Sequence, residues 1–196
     1  MRAEAVEVLA QGELLSHIDE PHYNCLVSIG NPISLLSSNR GDTWMPEVFK
    51  KRFKKILRLS FYDVEEKAHL GKRQFPKIVP ARRHVRRAIS FFNKTSDSTN
   101  GYTMHCWAGV SRSTAFALGY LYMITGSEEE AMMILRNVRP QARPHQGIVK
   151  MFDDELGCNL TLVNDYLRRE QVEKLKEELH ISLDDLLEEL QPVGNE

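Results

Sequence analysis

The chain has 196 residues, of which 42% are hydrophobic and 27% are charged. A sequence of this length and composition can bury a core as one ordinary domain, which excludes a disordered chain or a fibrous repeat. The net charge of −1 also excludes a uniformly basic protein, so no nucleic-acid partner is expected. The charge is divided unevenly, since residues 1–157 carry 22 Lys/Arg against 17 Asp/Glu and residues 158–196 carry 4 against 10.

The cysteine content and the apolar runs predict a reduced, cytoplasmic protein. Cys25, Cys106 and Cys158 are too few and too scattered for a disulfide scaffold, and Cys25 and Cys158 are expected to be buried structural thiols. The first fifteen residues contain three glutamates and no long apolar core, which argues against a signal peptide. No apolar run is long enough to predict a membrane span.

Strands and helices are predicted to alternate along most of the chain. Short apolar runs that end in turn residues predict strands, and apolar residues three or four positions apart predict helices. The predicted elements, in chain order, are a strand at 25–30, a strand at 56–61, a surface loop at 63–76, a helix at 79–93, a strand at 101–105, a buried helix at 113–125, and helices at 127–138 and 146–156. This alternation predicts an α/β fold with a mostly parallel central sheet flanked by helices.

The sequence changes character after Gly157. Leucines and valines at helical spacing among many charges predict an acidic amphipathic helical extension at 158–196, with a second helix start at Ser182-x-x-Asp185. We therefore predict a first domain at 1–157. The extension is expected either to pack on that domain as a cap or to associate with a second copy or another partner.

The segment that carries the chemistry is His105-Cys-Trp-Ala-Gly-Val-Ser-Arg-Ser113, hereafter the signature loop. Its thiol is expected between a strand and a helix N-terminus, where the positive end of the helix dipole favours a thiolate. Gly109 permits a tight turn whose backbone N–H groups surround an anion. Arg112 carries a planar guanidinium that can bind two phosphate oxygens at once. The pattern predicts nucleophilic attack on phosphorus.

These nine residues resemble the signature of the cysteine-dependent protein tyrosine phosphatases, in which a Cys-x5-Arg loop binds phosphate. The Ala-Gly-Val-Ser-Arg-Ser run is most similar to the dual-specificity branch, and the resemblance extends from about Cys25 to Gly157. The sequence departs from the family at Pro144-His145, where a Pro-Asn pair is common. That departure concerns the support of the loop and not the nucleophile.

The resemblance implies a role for each residue of the signature loop. Cys106 is expected to be the nucleophile that forms a cysteinyl-phosphate, and Arg112 to bind the phosphate and stabilise the transition state. Ser113 is expected to stabilise the thiolate, and His105 to tune the thiol through a hydrogen bond. The residues expected to cradle the phosphate are Trp107, Ala108, Gly109, Val110, Ser111 and Arg112. The resemblance implies no metal and no other cofactor.

A general acid on a mobile loop upstream of the signature is also implied by the resemblance. Asp63 is the natural match, and Glu65 and Glu66 are the alternatives. The separation of 43 residues between Asp63 and Cys106 is longer than the resemblance leads one to expect.

The predicted function of the 1–157 domain is therefore hydrolysis of phosphate monoesters, on phosphotyrosine and also on phosphoserine or phosphothreonine. Its expected partner is a phosphorylated protein or another phosphomonoester substrate. Two alternatives stay open, namely a weak or inactive module that recognises phosphorylated partners, and a phosphatase for a non-protein phosphate such as a phosphoinositide. Two basic runs, 50–55 and 82–87, are interpreted either as solvated helix faces or as a surface that steers an anionic substrate.

Overall fold

The structure, a computed structural model, describes residues 6–17, 19, 21–32, 47–64 and 78–189. Its elements in chain order are β1 (Val6–Ala10), α1 (Gln11–Ser16), β2 (Cys25–Gly30), α2 (Glu47–Arg52), β3 (Lys55–Ser60), α3 (Arg82–Thr95), β4 (Tyr102–Cys106), α4 (Arg112–Thr125), α5 (Glu128–Val138), α6 (Gln146–Leu156) and α7 (Leu160–Glu189). The chain forms two compact units, Met1–Asn164 and Asp165–Glu196.

The described strands form one sheet in the order β1-β4-β2-β3, and each neighbouring pair is parallel. The predicted parallel α/β fold is therefore confirmed. Strand β1 was not predicted, because a run of five residues with one charged member is too short for the strand pattern to stand out. The short helices α1 and α2 were missed for the same reason, since six residues do not complete two helical turns.

Helices cover both faces of this sheet. On one face Leu26 of β2 joins Leu14 of α1 and two phenylalanines of the α2 region, Phe49 and Phe53, in a buried cluster. On the other face the Tyr102 ring lies 5.1 Å from the Phe92 ring of α3 and 4.7 Å from the Tyr120 ring of α4. Burial of both faces explains why β2, whose six residues are all buried, is an almost continuous apolar run.

Helix α4 is the central helix, as predicted from residues that are apolar almost all round. Its first ten residues, from Arg112 to Leu121, are all buried. It ends at Gly126, which adopts a left-handed conformation with φ of +69°. Ser127 then caps α5 by accepting a hydrogen bond from the Glu130 N–H, which confirms the predicted helix start. Because α4 begins where the signature loop ends, its buried position fixes that loop.

The C-terminal helix differs from the predicted pair of helices. Helix α7 continues without interruption past Ser182, where a second helix start was expected. A serine in a helix interior costs only a few tenths of a kcal/mol, about 0.5, relative to alanine, which is too little to force a break. Within the described residues, no helix is both long enough and apolar enough to cross a membrane.

Candidate active site

The candidate site lies at the carboxyl edge of the parallel sheet, where the ends of neighbouring strands meet. Cys106 is the last residue of β4, Asn31 follows β2, and Asp63 lies three residues after the end of β3. These residues border a cavity of about 710 Å³. Its walls are formed by Asn31, Tyr62, Asp63, Val64, Cys106, Trp107, Ala108, Val110, Ser111 and Arg112. The structure thus brings the predicted nucleophile, phosphate ligand and acid into one cavity.

Five consecutive carbonyl groups of the signature loop, those of residues 107–111, accept hydrogen bonds from segments outside the loop. The donors in order are the Gln11 N–H (3.1 Å), Arg139 Nη2 (3.3 Å), Arg139 Nε (3.0 Å), the Arg143 N–H (2.9 Å) and the His145 N–H (3.3 Å). The carbonyl groups therefore point away from the cavity and towards the surrounding protein.

This orientation of the carbonyl groups creates the phosphate cradle. Because a C=O and the following N–H point in opposite directions across a planar trans peptide, the N–H groups of residues 108–112 face the cavity. Gly109 makes the turn possible, with φ of +66°. A β-carbon there would lie 2.6 Å from the Ala10 backbone nitrogen and 2.8 Å from Arg139 Nη2, so no larger residue fits. A ring of N–H groups of this kind binds a tetrahedral anion.

Arg139 supports the cradle, a role that sequence reasoning missed. Its side chain is largely buried, and Nη1 lies 2.9 Å from Glu13 Oε2. Burial raises the pKa of the Glu13 carboxyl, but the Ala10 N–H and Arg139 lower it, and the net direction is down. The Glu13 carboxylate thereby holds the guanidinium against the loop carbonyls. The sequence offered only a weak signal, an arginine that follows a predicted helix and lies within the stretch from Cys25 to Gly157 that resembles the family.

Replacing Arg139 tests this support. Arg139→Met leaves two loop carbonyls without their donor, and we expect the affinity for tungstate, a tetrahedral oxyanion, to fall about 10- to 100-fold. Calorimetric titration measures that affinity. The exposed Arg136, in the helix that ends just before Arg139, supplies the matched control, and Arg136→Met should bind tungstate like the wild type. Equal affinities in the two variants would contradict the supporting role.

The Cys106 sulfur has surroundings that suit a negative charge. Its side chain is buried, and the buried Ser113 hydroxyl donates a hydrogen bond of 3.2 Å to Sγ. Helix α4 begins at Arg112, so the positive end of its dipole lies beside the sulfur. The hydrogen bond from Ser113 and the attraction to the helix dipole are both stronger for a thiolate than for a neutral thiol.

Asp63 lies directly across the mouth of the signature loop. Its Oδ1 accepts a hydrogen bond of 2.9 Å from the Ser111 hydroxyl, and its Oδ2 lies 3.5 Å from Arg112 Nε. The Asp63 side chain is 37% exposed, which leaves it open to a bound substrate. Arg112 Nη1 donates to Asn31 Oδ1 (2.8 Å) and to the Phe61 carbonyl (3.0 Å). The alternative acids, Glu65 and Glu66, lie outside the described residues.

His105 points to the opposite face of the sheet from Cys106, as neighbours on a strand do. Its Nε2 lies 2.7 Å from the Ser28 hydroxyl, which also accepts a hydrogen bond from Arg58. Burial has the largest effect on the pKa of His105 and the positive charge of Arg58 the next largest, and together they lower it to about 4. The charge of Arg112 also lowers this pKa, whereas the Cys106 backbone raises it. The His105 side chain, as a neutral imidazole, therefore links β4 to β2 through Ser28. Its effect on the Cys106 thiol stays a prediction.

A second buried histidine, His84 of α3, supports the end of β3. Its ring stacks on Phe61 at 4.7 Å between centroids, and its Nδ1 accepts a hydrogen bond of 3.1 Å from the Ala81 N–H. Burial first, and then Arg83 and Arg87, lower the pKa of His84 to about 4.

His84 and His105 together predict acid sensitivity of the fold. Between the ordinary value of 6.5 and about 4, the unfolded chain binds protons that the folded chain excludes. The contribution of these histidines to the free energy of unfolding is therefore fully present above pH 6.5. It falls as the pH drops towards 4, by up to about 1.4 kcal/mol per pH unit for each histidine. Urea unfolding at several pH values measures this slope. His84→Gln should reduce the slope, whereas His17→Gln, at an exposed position, should leave it unchanged; a flat profile would contradict the account.

Two of the four arginines on the basic face of α3 pair with acidic side chains of α6. Arg82 pairs with Asp154, and Arg86 Nε lies 2.8 Å from Glu155 Oε2. These pairs favour the interpretation of the 82–87 run as a solvated, packed helix face rather than as a steering surface.

Comparison with known proteins agrees with this geometry. No protein-family model matches the sequence. Dual specificity protein phosphatase 15 from Mus musculus is 27% identical over 77 residues, which cover 39% of this chain and 33% of that protein. Dual specificity protein phosphatase 22-B from Danio rerio is 29% identical over 91 residues, or 46% of this chain and 50% of that protein. The resemblance to the dual-specificity phosphatases is confirmed.

The solved structures show the same fold. The crystal structure of DUSP15 superposes with a TM-score of 0.53 at 17% identity and covers 86% of this chain and 94% of that one. The active form of Tk-PTP gives a TM-score of 0.52 at 16% identity, covering 80% of this chain and 89% of that one. The chain spans only a third to a half of the length of the two dual-specificity phosphatases from Mus musculus and Danio rerio.

Proposed function

We propose that this chain is a phosphatase that hydrolyses phosphate monoesters through a cysteinyl-phosphate on Cys106. The observation that carries the proposal is the outward orientation of five consecutive loop carbonyls, which turns the N–H groups of residues 108–112 towards the cavity that Cys106 borders. A phosphate held by those N–H groups and by Arg112 presents its phosphorus to the sulfur.

In the first step of the proposed reaction, the Cys106 thiolate attacks phosphorus. The S–P bond forms as the P–O bond to the leaving group breaks, and the charge that develops on the phosphoryl oxygens is stabilised by the loop N–H groups and by Arg112. The leaving oxygen takes the proton of the Asp63 carboxyl group. The position of Asp63 opposite the loop supports this assignment.

In the second step, the Asp63 carboxylate accepts a proton from water. The oxygen of that water attacks phosphorus, the S–P bond breaks, and inorganic phosphate leaves. The Ser113 hydroxyl, 3.2 Å from Sγ, stabilises the thiolate as it departs. The proton balance closes, because Asp63 regains the proton that it gave to the leaving group.

The substrate class that we propose is a phosphorylated side chain of a protein, phosphotyrosine and also phosphoserine or phosphothreonine. The cavity wall formed by Tyr62, Val64 and the 60% exposed Trp107 offers apolar contacts to a substrate side chain. The absence of lysine from the signature loop sequence disfavours a strongly anionic headgroup.

We further propose that residues 1–157 are the catalytic domain and that residues 158–196 are an acidic extension that associates with a partner or packs as a cap. A reducing compartment such as the cytoplasm keeps a nucleophilic thiol free of disulfides. The three cysteines are free and buried, which supports that setting.

The proposed activity is tested by measuring hydrolysis of p-nitrophenyl phosphate by the full chain. The measurement covers about pH 4 to pH 8, with excess chelator present. The expected result is turnover that resists the chelator and is greatest at mildly acidic pH. Folded, reduced protein without any turnover would contradict the proposal and favour a module that only recognises phosphorylated partners.

A further inference from the structure

The imidazole of His145 is buried, faces the site and has no role in the proposed reaction. This residue precedes α6, and its side chain is 2% exposed. Its Nδ1 accepts a hydrogen bond of 3.4 Å from the Ile148 N–H, as an N-cap side chain does. Because Nδ1 is an acceptor, the proton of the neutral ring is carried by Nε2.

The Nε2 atom of His145 faces Asp63. It has no hydrogen-bond partner among the described residues, and it lies 3.9 Å from Asp63 Oδ1. That distance is too long for a hydrogen bond, but a shift of Asp63 by about 1 Å brings it into range. A buried N–H donor without a partner costs free energy, so closing this contact is favourable.

The backbone around His145 is held firmly against the signature loop. The His145 N–H bonds to the Ser111 carbonyl, and the Asn164 amide donates a hydrogen bond of 3.2 Å to the Pro144 carbonyl. The imidazole therefore keeps a fixed position relative to the phosphate cradle. A group fixed to the cradle is suited to position a carboxyl group that must meet the leaving oxygen.

We propose that His145 is a positioning residue that donates its Nε2 proton to Oδ1 of Asp63 and holds that carboxyl group over the signature loop. This inference rests on the proposed function, in which Asp63 is the general acid. Oδ1 then receives the Ser111 hydroxyl and the imidazole N–H, which leaves Oδ2 to carry the proton that is transferred.

The test uses His145→Asn, since asparagine is a favoured N-cap residue and keeps the start of α6. Loss of one positioning hydrogen bond should lower kcat/KM for phenyl phosphate, whose leaving group is poor, about 3- to 10-fold, because kcat/KM reports the steps up to departure of the leaving group. The kcat/KM for p-nitrophenyl phosphate should change less than about 2-fold, since its leaving group needs little protonation. Tungstate affinity should stay at the wild-type value. His145→Gln, whose amide reaches further, should restore part of the phenyl phosphate rate.

The same substitution is then made in an Asp63→Asn background. If His145 acts through Asp63, His145→Asn has no further effect there, whereas independent effects multiply. Multiplied losses, or equal losses on both substrates, would overturn the inference while leaving the proposed function in place. A wild type without turnover, or an Asp63→Asn variant with unchanged leaving-group dependence, would overturn the proposed function and this inference together.

Discussion

Cys106→Ser abolishes turnover, with kcat expected to fall by at least about 10⁴-fold. The serine hydroxyl is not ionised at neutral pH, so the attacking charge is lost while the outward carbonyls and the inward N–H groups of residues 108–112 stay in place. Tungstate affinity should therefore remain within about 10-fold of the wild-type value. Steady-state kinetics and calorimetric titration of the same preparation separate loss of chemistry from loss of the site.

Cys158→Ser is the matched control for that experiment. The Cys158 thiol is also buried, and it donates a hydrogen bond of 3.4 Å to Asp153 Oδ1 that a hydroxyl can replace. This variant should keep full turnover. A Cys106→Ser protein that retains even a tenth of the wild-type rate, or a Cys158→Ser protein that loses it, would exclude Cys106 as the sole nucleophile.

Asp63→Asn should lower kcat about 10²- to 10³-fold for phenyl phosphate, because an amide cannot donate a carboxyl proton to the leaving oxygen. For p-nitrophenyl phosphate the loss in the first step should be much smaller. The wild-type decline of kcat/KM towards alkaline pH, where the acid is ionised, should flatten in the variant. Kinetics with a series of aryl phosphates across the pH range measure both effects.

The exposed Asp97 provides a control substitution, and Asp97→Asn should behave like the wild type. Asp63→Asn keeps the geometry that the Ser111 hydroxyl defines, since an amide oxygen also accepts its hydrogen bond. An equal loss of kcat/KM, which reports the first step, on good and poor leaving groups would show that another group, and not Asp63, protonates the leaving oxygen.

Much of the fold follows from local patterns in the sequence. The buried strands and the helices from α3 to α6 carry apolar residues at the expected period, and α6 begins at Gln146 and ends at Leu156 as predicted. Strand β1 and helices α1 and α2 are short, and tertiary packing rather than local pattern specifies them. Leu14 and Phe49, for example, become interpretable only when the sheet brings them together in one cluster.

The candidate site also contains residues that the sequence predicts and residues that only the fold reveals. Cys106, Arg112 and Ser113 lie in one local run, so their residue types and spacing already indicate their chemistry, and Asp63 follows from the resemblance that this run carries. The parts that orient the loop come from distant segments. Arg139 lies 30 residues from the loop carbonyl that it binds and 126 residues from Glu13, a pairing that no local pattern encodes. In the sequence His145 stands out only as a departure from a family pattern, because its approach to Asp63 depends on the fold.

The most direct test of the account is to trap the covalent intermediate. The full chain is mixed with p-nitrophenyl phosphate and quenched rapidly, and its peptides are examined by mass spectrometry for an added phosphoryl group. The account predicts that group on Cys106, in both the wild type and Asp63→Asn, and on no peptide of the Cys106→Ser variant. Turnover with the phosphoryl group on another residue, or full turnover with none on Cys106, would contradict it.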